Sequence, residues 1–365
     1  MTHKTSAWPL ALVYVGLIVY ASLYPFADWR NQGIEPWAFL ASPWPRYWTG
    51  FDVAANALGY LPLGFLLALT ALRTGHGGHA VLRASLSAGL LSLGMEALQS
   101  YLPARVPSNV DFLLNLMGAA VGGVLATALE KLGAIDRWSQ FRERWFVPDA
   151  RGALVLLALW PVALLFPASV PLGLGQVLER LEAGLAELLQ DTPLLDWLPV
   201  RDVELQPLVA GVEMICVMLG ALIPCLLGFC IIRSLVRRGM FLIMVMAAGI
   251  GATALSAALS YGPSHAWAWL SLPVQVGLGA AGVSALVLLP VSRRVSAALL
   301  LLALGIYLSL LNQAPASAYF SQTLQTWEQG RFIRFNGLAQ WLGWLWPYAT
   351  LVYVLVRVGQ QQPKN

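Results

Sequence analysis

Charge is the scarcest property of this chain. Only 11% of its 365 residues are Asp, Glu, Lys or Arg, whereas 58% are hydrophobic; soluble domains carry roughly a quarter charged residues. With a mean hydropathy of +0.67, a water-solvated globule is excluded. Cysteine is equally sparse. Cys216, Cys225 and Cys230 fall within one apolar stretch, so no second segment can be bridged and no zinc spacing exists; they read as small apolar residues. The four histidines, His3, His76, His79 and His265, occupy terminal or loop positions, and His76-Gly77-Gly78-His79 reads as a turn. No H-E-x-x-H, P-loop or G-x-S-x-G occurs, so neither a metal site nor a cofactor is expected. The net charge of +4 does not imply nucleic acid, because most of the basic excess serves orientation in a membrane.

Long apolar runs are what the chain has instead. A span needs roughly 20 mainly apolar residues to cross about 30 Å of hydrocarbon. Ten such runs are read near 7–24, 53–72, 80–100, 110–129, 153–171, 208–232, 240–261, 273–291, 295–311 and 338–357. Backbone groups must be paired internally in lipid and the runs do not alternate, so the expected fold is all-α: a polytopic helical membrane protein of about ten transmembrane helices. If the amino terminus is cytoplasmic, 15 of the 22 basic residues lie in inner segments, and both termini are then cytoplasmic. The first run follows His3 and Lys4 and is read as an uncleaved anchor, since Tyr24–Phe26 looks like part of the domain.

The chain divides at a basic segment. Residues 1–130 form a four-span unit, 131–152 a basic cytoplasmic linker, and 153–365 a six-span region with few polar groups. Between 174 and 189, Leu174, Val177, Leu178, Leu181, Leu185 and Leu188 fall on one helical face away from Glu179, Glu182 and Glu187, the pattern of an amphipathic helix on the outer surface. Segment 24–50 holds Trp29, Trp37, Trp44, Tyr47 and Trp48 among prolines, which resists a helix and suggests an aromatic cap at headgroup level.

Acidic and amide side chains interrupt the first unit at helical spacing. Asp52 and Asn56 are four apart, with Gly59 continuing their face; Ser85, Gly89, Ser92, Glu96 and Gln99 form one stripe; Asp111, Asn115, Gly118 and Gly122 form another. Residues three and four apart share a surface, and small ones let backbones approach. Glu96 is 13 residues beyond Arg83, about 20 Å along a helix, and Asp52, Asp111 and Glu213 also fall toward the outer side. A polar pocket opening outward is expected. Structural readings stand beside it: Thr49-Gly50-Phe51-Asp52 and Ser108-Asn109-Val110-Asp111 fit helix capping, and Glu96 is accounted for by an ion pair with Arg105 or a hydrogen bond across helices.

These residues resemble a family. Leu23-Tyr24-Pro25-Phe26, Asn56 followed by Leu61-Pro62-Leu63-Gly64, Glu96-Ala97-Leu98-Gln99, Arg105, Asp111, Asn115 and Gly118 look like the VanZ-like bacterial membrane proteins over about residues 10–130. Arg331-Phe332-Ile333-Arg334-Phe335-Asn336-Gly337 is similar to a segment of longer members. The resemblance implies a cell-envelope role in the bacterial plasma membrane; the founding member is associated with resistance to the lipoglycopeptide teicoplanin. It does not supply a reaction.

The leading functional expectation is an outward intramembrane pocket that binds the headgroup of an amphiphile, a lipid-linked envelope precursor or a lipoglycopeptide, and contributes in the latter case to glycopeptide resistance. Asp52, Asn56, Glu96, Gln99, Asp111 and Asn115 would meet hydroxyls, and Arg105, Arg331 and Arg334 phosphate. The alternative is an intramembrane transferase or hydrolase acting on a polyprenyl or glycolipid substrate. Glu96 would then move the proton, and Asp111 with Asp52 would orient or hold a divalent cation. A lipid transporter or flippase using helix breaks at Pro62, Pro161, Pro224 or Pro347 is third, although the inner halves of the spans are almost wholly apolar.

Overall fold

Ten apolar runs become ten helices in the computed structural model, which describes residues 7–24, 26, 28–44, 50–75, 77–166, 168–190, 192–194, 205–315 and 333–360. Among the described residues, two amphipathic helices join them. The chain forms two compact units, Met1–Phe141 and Arg142–Asn365, which meet in sequence inside the basic segment. No strand occurs among the described residues, only an isolated bridge between Phe146 and Ile232. Among the described residues, six helices are long and apolar enough to cross a membrane: Val53–Arg73, Gly77–Gln99, Asn109–Lys131, Ala210–Ile231, Leu235–Ser260 and Arg293–Leu311. The protein is thus an all-α polytopic membrane protein.

The first unit contains α1 (Ala7–Leu23), α2 (Gly50–Arg73), α3 (Ala80–Gln99), α4 (Asn109–Lys131) and most of α5 (Ala134–Trp145). Glycine brings α2 and α4 together. A Cβ at Gly118 would overlap the Ala57 carbonyl, one at Gly122 the Leu61 carbonyl, and one at Gly64 the Ala119 backbone. Without a hydrophobic drive between helices in lipid, such close approach is what supplies dispersion contact. The sequence pattern placed Gly59 on this seam; instead its carbonyl accepts from the Tyr14 hydroxyl of α1 at 2.9 Å, and Gly64 makes the contact with α4. Leu58, Leu82, Leu86, Leu90, Met117 and Val121 point outward and remain exposed, as lipid-facing side chains do.

The two ends of this unit differ. At one, Arg73 of α2 pairs with Glu130 at 3.7 Å and with Asp136 at 3.4 Å. At the other, the carboxy ends of α1 and α3 meet the amino end of α4 under the segment 28–44. That segment has one 3₁₀ turn, Ala38–Ala41, with Phe39 buried and Trp29, Trp37 and Trp44 exposed. Arg30 N–H donates to the Tyr101 carbonyl and Gln32 Nε2 to the Ser100 carbonyl, which hold it down.

The second unit wraps around α8 (Ala210–Ile231), most of whose side chains are buried. Around it lie α6 (Arg151–Ala163), α9 (Leu235–Tyr261), α10 (Leu272–Val287) and α11 (Arg293–Leu311), with α12 (Ile333–Gln360) packed on α6. α2, α6, α8 and α12 continue through Pro62, Pro161, Pro224 and Pro347 respectively. The break comes after α6 instead. This helix has 13 residues, about 20 Å, and the irregular stretch that follows is buried at Val170, Leu172 and Leu174. Non-helical backbone at membrane depth needs protein partners. Here Tyr307 Oη donates to the Leu172 carbonyl at 2.7 Å and accepts from Leu174 N–H, while Gly175 N–H donates to the Gly343 carbonyl at 2.7 Å. Asn312 Oδ1 then accepts from Val177 N–H and Leu178 N–H, capping α7 (Leu178–Leu189). Leu178, Leu181, Leu185 and Leu188 of α7 are exposed.

Candidate functional site

Three helices of the first unit carry the polar stripes, and the structure joins them one hydrogen bond at a time. α4 opens at Ser108, whose extended backbone and side chain make it the amino-terminal cap: its Oγ accepts from Asp111 N–H at 3.3 Å. In a capping box the residue in the place of Asp111 would reach back to the cap's own N–H. That N–H instead donates to Glu96 Oε2 at 2.8 Å. A carboxylate on α3 therefore completes the start of α4, and it does so with only 4% of its surface exposed.

One turn down α4, Asn115 is 5% exposed. Its Nδ2 donates to Ser92 Oγ of α3 at 2.9 Å, while its Oδ1 is buried without a hydrogen-bond partner. Tyr60 of α2 faces the same place. Its hydroxyl interacts with Ser92 and with the charge of Glu96, yet it makes no hydrogen bond of regular geometry. Asp111 also lies within electrostatic reach of Glu96. Buried polar atoms are nearly always paired, so an unpaired Asn115 Oδ1 next to a poorly bonded Tyr60 hydroxyl distinguishes this cluster.

Around the cluster, the remaining polar residues fasten helix ends. Gln99 Nε2 donates to the Ser22 carbonyl of α1 at 2.9 Å. Arg105 donates from Nε and Nη2 to the Tyr24 carbonyl at 3.1 and 2.7 Å, and from Nη2 to the Ala21 carbonyl at 2.9 Å. A guanidinium suits the carboxy end of a helix, where carbonyls lack partners and the dipole is negative. Asn109 Nδ2 donates to the Ser42 carbonyl at 2.6 Å.

The predicted residues are thus distributed unevenly. Glu96, Asp111 and Asn115 meet, while Gln99 and Arg105 reach instead to carbonyls at the carboxy end of α1. Asn56 is half-buried on α2 and has no hydrogen bond to a described residue. Asp52 lies in the first turn of α2, but its side chain is outside the described residues, as are Arg331 entirely and the side chain of Arg334. Glu213 is in the first turn of α8, in the second unit. Among the described residues, no three His, Cys, Asp or Glu side chains gather closely enough to hold a metal ion. Tyr60 was absent from the sequence reading, although it stands four residues beyond Asn56 and helical spacing alone would have included it.

The comparisons with known proteins concern this same region. Residues 5–130 match the family model described as VanZ/LLP1. No curated protein and no solved structure matches the chain significantly. The matched residues cover α1 to α4, the aromatic segment and every paired member of the polar cluster, and over this region the chain is similar to the VanZ-like family.

Proposed function

We propose that the first unit binds the polar headgroup of an amphiphile, a lipid-linked envelope precursor or a lipoglycopeptide, at the Glu96–Asn115 cluster. The carrying observation is the buried Asn115 Oδ1 without a hydrogen-bond partner, beside a buried Tyr60 hydroxyl whose contact with Ser92 lacks regular hydrogen-bond geometry. Polar groups inside a membrane bundle are costly and mark a site unless the fold uses them up. Glu96 adds a carboxylate, and the exposed Trp29, Trp37 and Trp44 offer apolar faces to a lipid or a lipoglycopeptide tail. The bias of basic residues supports an outward-facing site in a bacterial plasma membrane. Donation to the carbonyls of Ala21 and Tyr24 gives Arg105 a structural task rather than a phosphate contact. A role in glycopeptide resistance would follow if the bound amphiphile is the antibiotic itself.

The test is binding by full-length protein in lipid nanodiscs, with a fluorescent polyprenyl-diphosphate-linked disaccharide-peptide and with teicoplanin as probes. Asn115→Leu and Tyr60→Phe each remove an unpartnered polar group, and affinity for at least one probe should fall about tenfold, the loss of roughly one good hydrogen bond. Unchanged affinity in both variants, with thermal midpoints near wild type, overturns the reading. Conversion of the precursor to a new product, abolished by Glu96→Gln, would move the assignment to the transferase or hydrolase alternative.

A further inference from the structure

The second unit gathers arginines at one end and uses them in two different ways. Arg238 is buried and is satisfied entirely by backbone: it donates to the carbonyls of Phe229 at 2.7 Å, Leu289 at 2.7 Å, Val291 at 2.6 Å and Ile232 at 3.4 Å. Its guanidinium also lies 5.5 Å from the centre of the Phe229 ring, a cation–π contact. This one side chain ties the carboxy end of α8 to the loop between α10 and α11. Arg237 donates to the Arg144 carbonyl and stacks over Trp145 at 5.5 Å, and Arg357 pairs with Asp149 at 3.3 Å. These three arginines build the end of the unit.

Others remain over. Arg238 holds the carbonyls of Ile232 and Val291 with one guanidinium; Arg233 directly follows one of these anchored residues in the chain, and Arg293 and Arg294 follow the other within three residues. Those three are exposed, and no ion pair or hydrogen bond joins their side chains to a described residue. The acids at this end among the described residues are Glu143 and Asp149, and Asp149 already serves Arg357. Cations brought together without acids repel one another and are stabilised by a counter-anion. Immediately beside them Leu235, Val236 and Val295 are exposed on α9 and α11, two helices apolar and long enough to span. A cationic rim adjoining an outward aliphatic surface matches a molecule with a phosphate at the interface and a chain in the hydrocarbon.

The geometry points to this end of the second unit as a binding site for the headgroup phosphate of an anionic phospholipid, with Arg233, Arg293 and Arg294 as its cations and Leu235, Val236 and Val295 beside its acyl chains. Retention of basic loops on one side of a membrane requires charge alone and no bound lipid. A site predicts saturation and headgroup selectivity as well.

Full-length protein in detergent is titrated with phosphatidylglycerol and, separately, with phosphatidylcholine of the same acyl chains, and thermal unfolding is followed. Phosphatidylglycerol should raise the midpoint saturably by about 2–4 °C, with little effect of phosphatidylcholine. The rise should vanish in a variant carrying Arg233→Gln, Arg293→Gln and Arg294→Gln and persist in the control Arg83→Gln, an exposed arginine of the first unit. Equal stabilisation by both lipids, or a full rise in the triple variant, overturns the proposal. Inorganic phosphate reproducing the rise without lipid would replace the phospholipid by a free anion and overturn it as stated. Should the triple variant not purify, wild-type protein decides: selectivity for phosphatidylglycerol must shrink as salt rises from about 0.05 to 0.5 M, and selectivity unaffected by salt refutes it.

Discussion

The two units solve the burial of polar groups in opposite ways. In the second, large buried polar side chains bond backbone carbonyls and amides: Tyr307 and Asn312 hold the irregular stretch after α6, Arg238 holds four carbonyls, and Trp346 Nε1 donates to the Leu156 carbonyl at 2.6 Å. Thr253 Oγ1 is the exception there among the described residues. In the first unit, α2 and α4 meet through glycine and alanine, and the polar stripes run along the seams so formed. Glu96 and Arg105 serve helix ends, but Tyr60, Ser85 and Asn115 each retain an unpartnered buried atom. Polar groups used up by a fold have little left for a ligand. Those left over in a low-dielectric interior are costly and require a reason. That contrast is why the functional proposal concerns the first unit.

Substitutions can break the contrast, and the largest effect belongs to the glycine seam. Gly122→Leu would drive a side chain into the Leu61 carbonyl and Phe65 N–H of α2; about 3 kcal/mol or more of destabilisation is expected, read as a lower thermal midpoint in detergent. A midpoint equal to wild type would show that α2 and α4 do not need their close approach. Next comes Tyr307→Phe, which strands the Leu172 carbonyl and Leu174 N–H and should cost about 2 kcal/mol. A neutral result there would remove the claim that the second unit's polar groups are structural. Asn312→Ala should cost about 1 kcal/mol through loss of the α7 cap, with hydrogen exchange rising in α7 ahead of α8; uniform exchange would contradict a local cap. Smallest is Asn115→Leu, within about 1 kcal/mol of wild type. It gives up one hydrogen bond to Ser92 but also removes an unsatisfied acceptor. Loss of probe binding at nearly unchanged stability sharpens the comparison, whereas a cost of about 3 kcal/mol would make Asn115 as structural as Tyr307.

Much of the architecture was legible beforehand because lipid makes the code simple. Unpaired backbone is forbidden in hydrocarbon, so each long apolar run had to become a helix, and all ten did. The short α6 was not legible: 153–171 is apolar but for Ser169, and nothing local reveals that Tyr307, more than a hundred residues later, offers its hydroxyl to Leu172 and Leu174. Gly118 and Gly122 declared a close helix contact by their spacing, but choosing Gly64 over Gly59 as the partner needed the rotation of α2 against α4. Ser108 and Asp111 announced a cap by pattern. A hydrogen bond from Glu96 across helices was among the structural readings of the sequence, but that its partner is the N–H of the Ser108 cap was not legible, since the course of the turn between α3 and α4 is not written in the pattern.

What the amino-acid sequence determined by itself was local and solvent-driven: helical segments, their apolar length, the faces that share small and polar residues, and the VanZ-like motif spacing. Tertiary structure alone decided which polar atoms would be used up and which left over. Glu96 became a helix cap, Arg105 an end clamp for α1, and Asn115 Oδ1 an unpartnered acceptor. The reason is that satisfaction of a buried donor or acceptor depends on distances of about 3 Å between different helices, and helical periodicity specifies only the face on which a side chain stands.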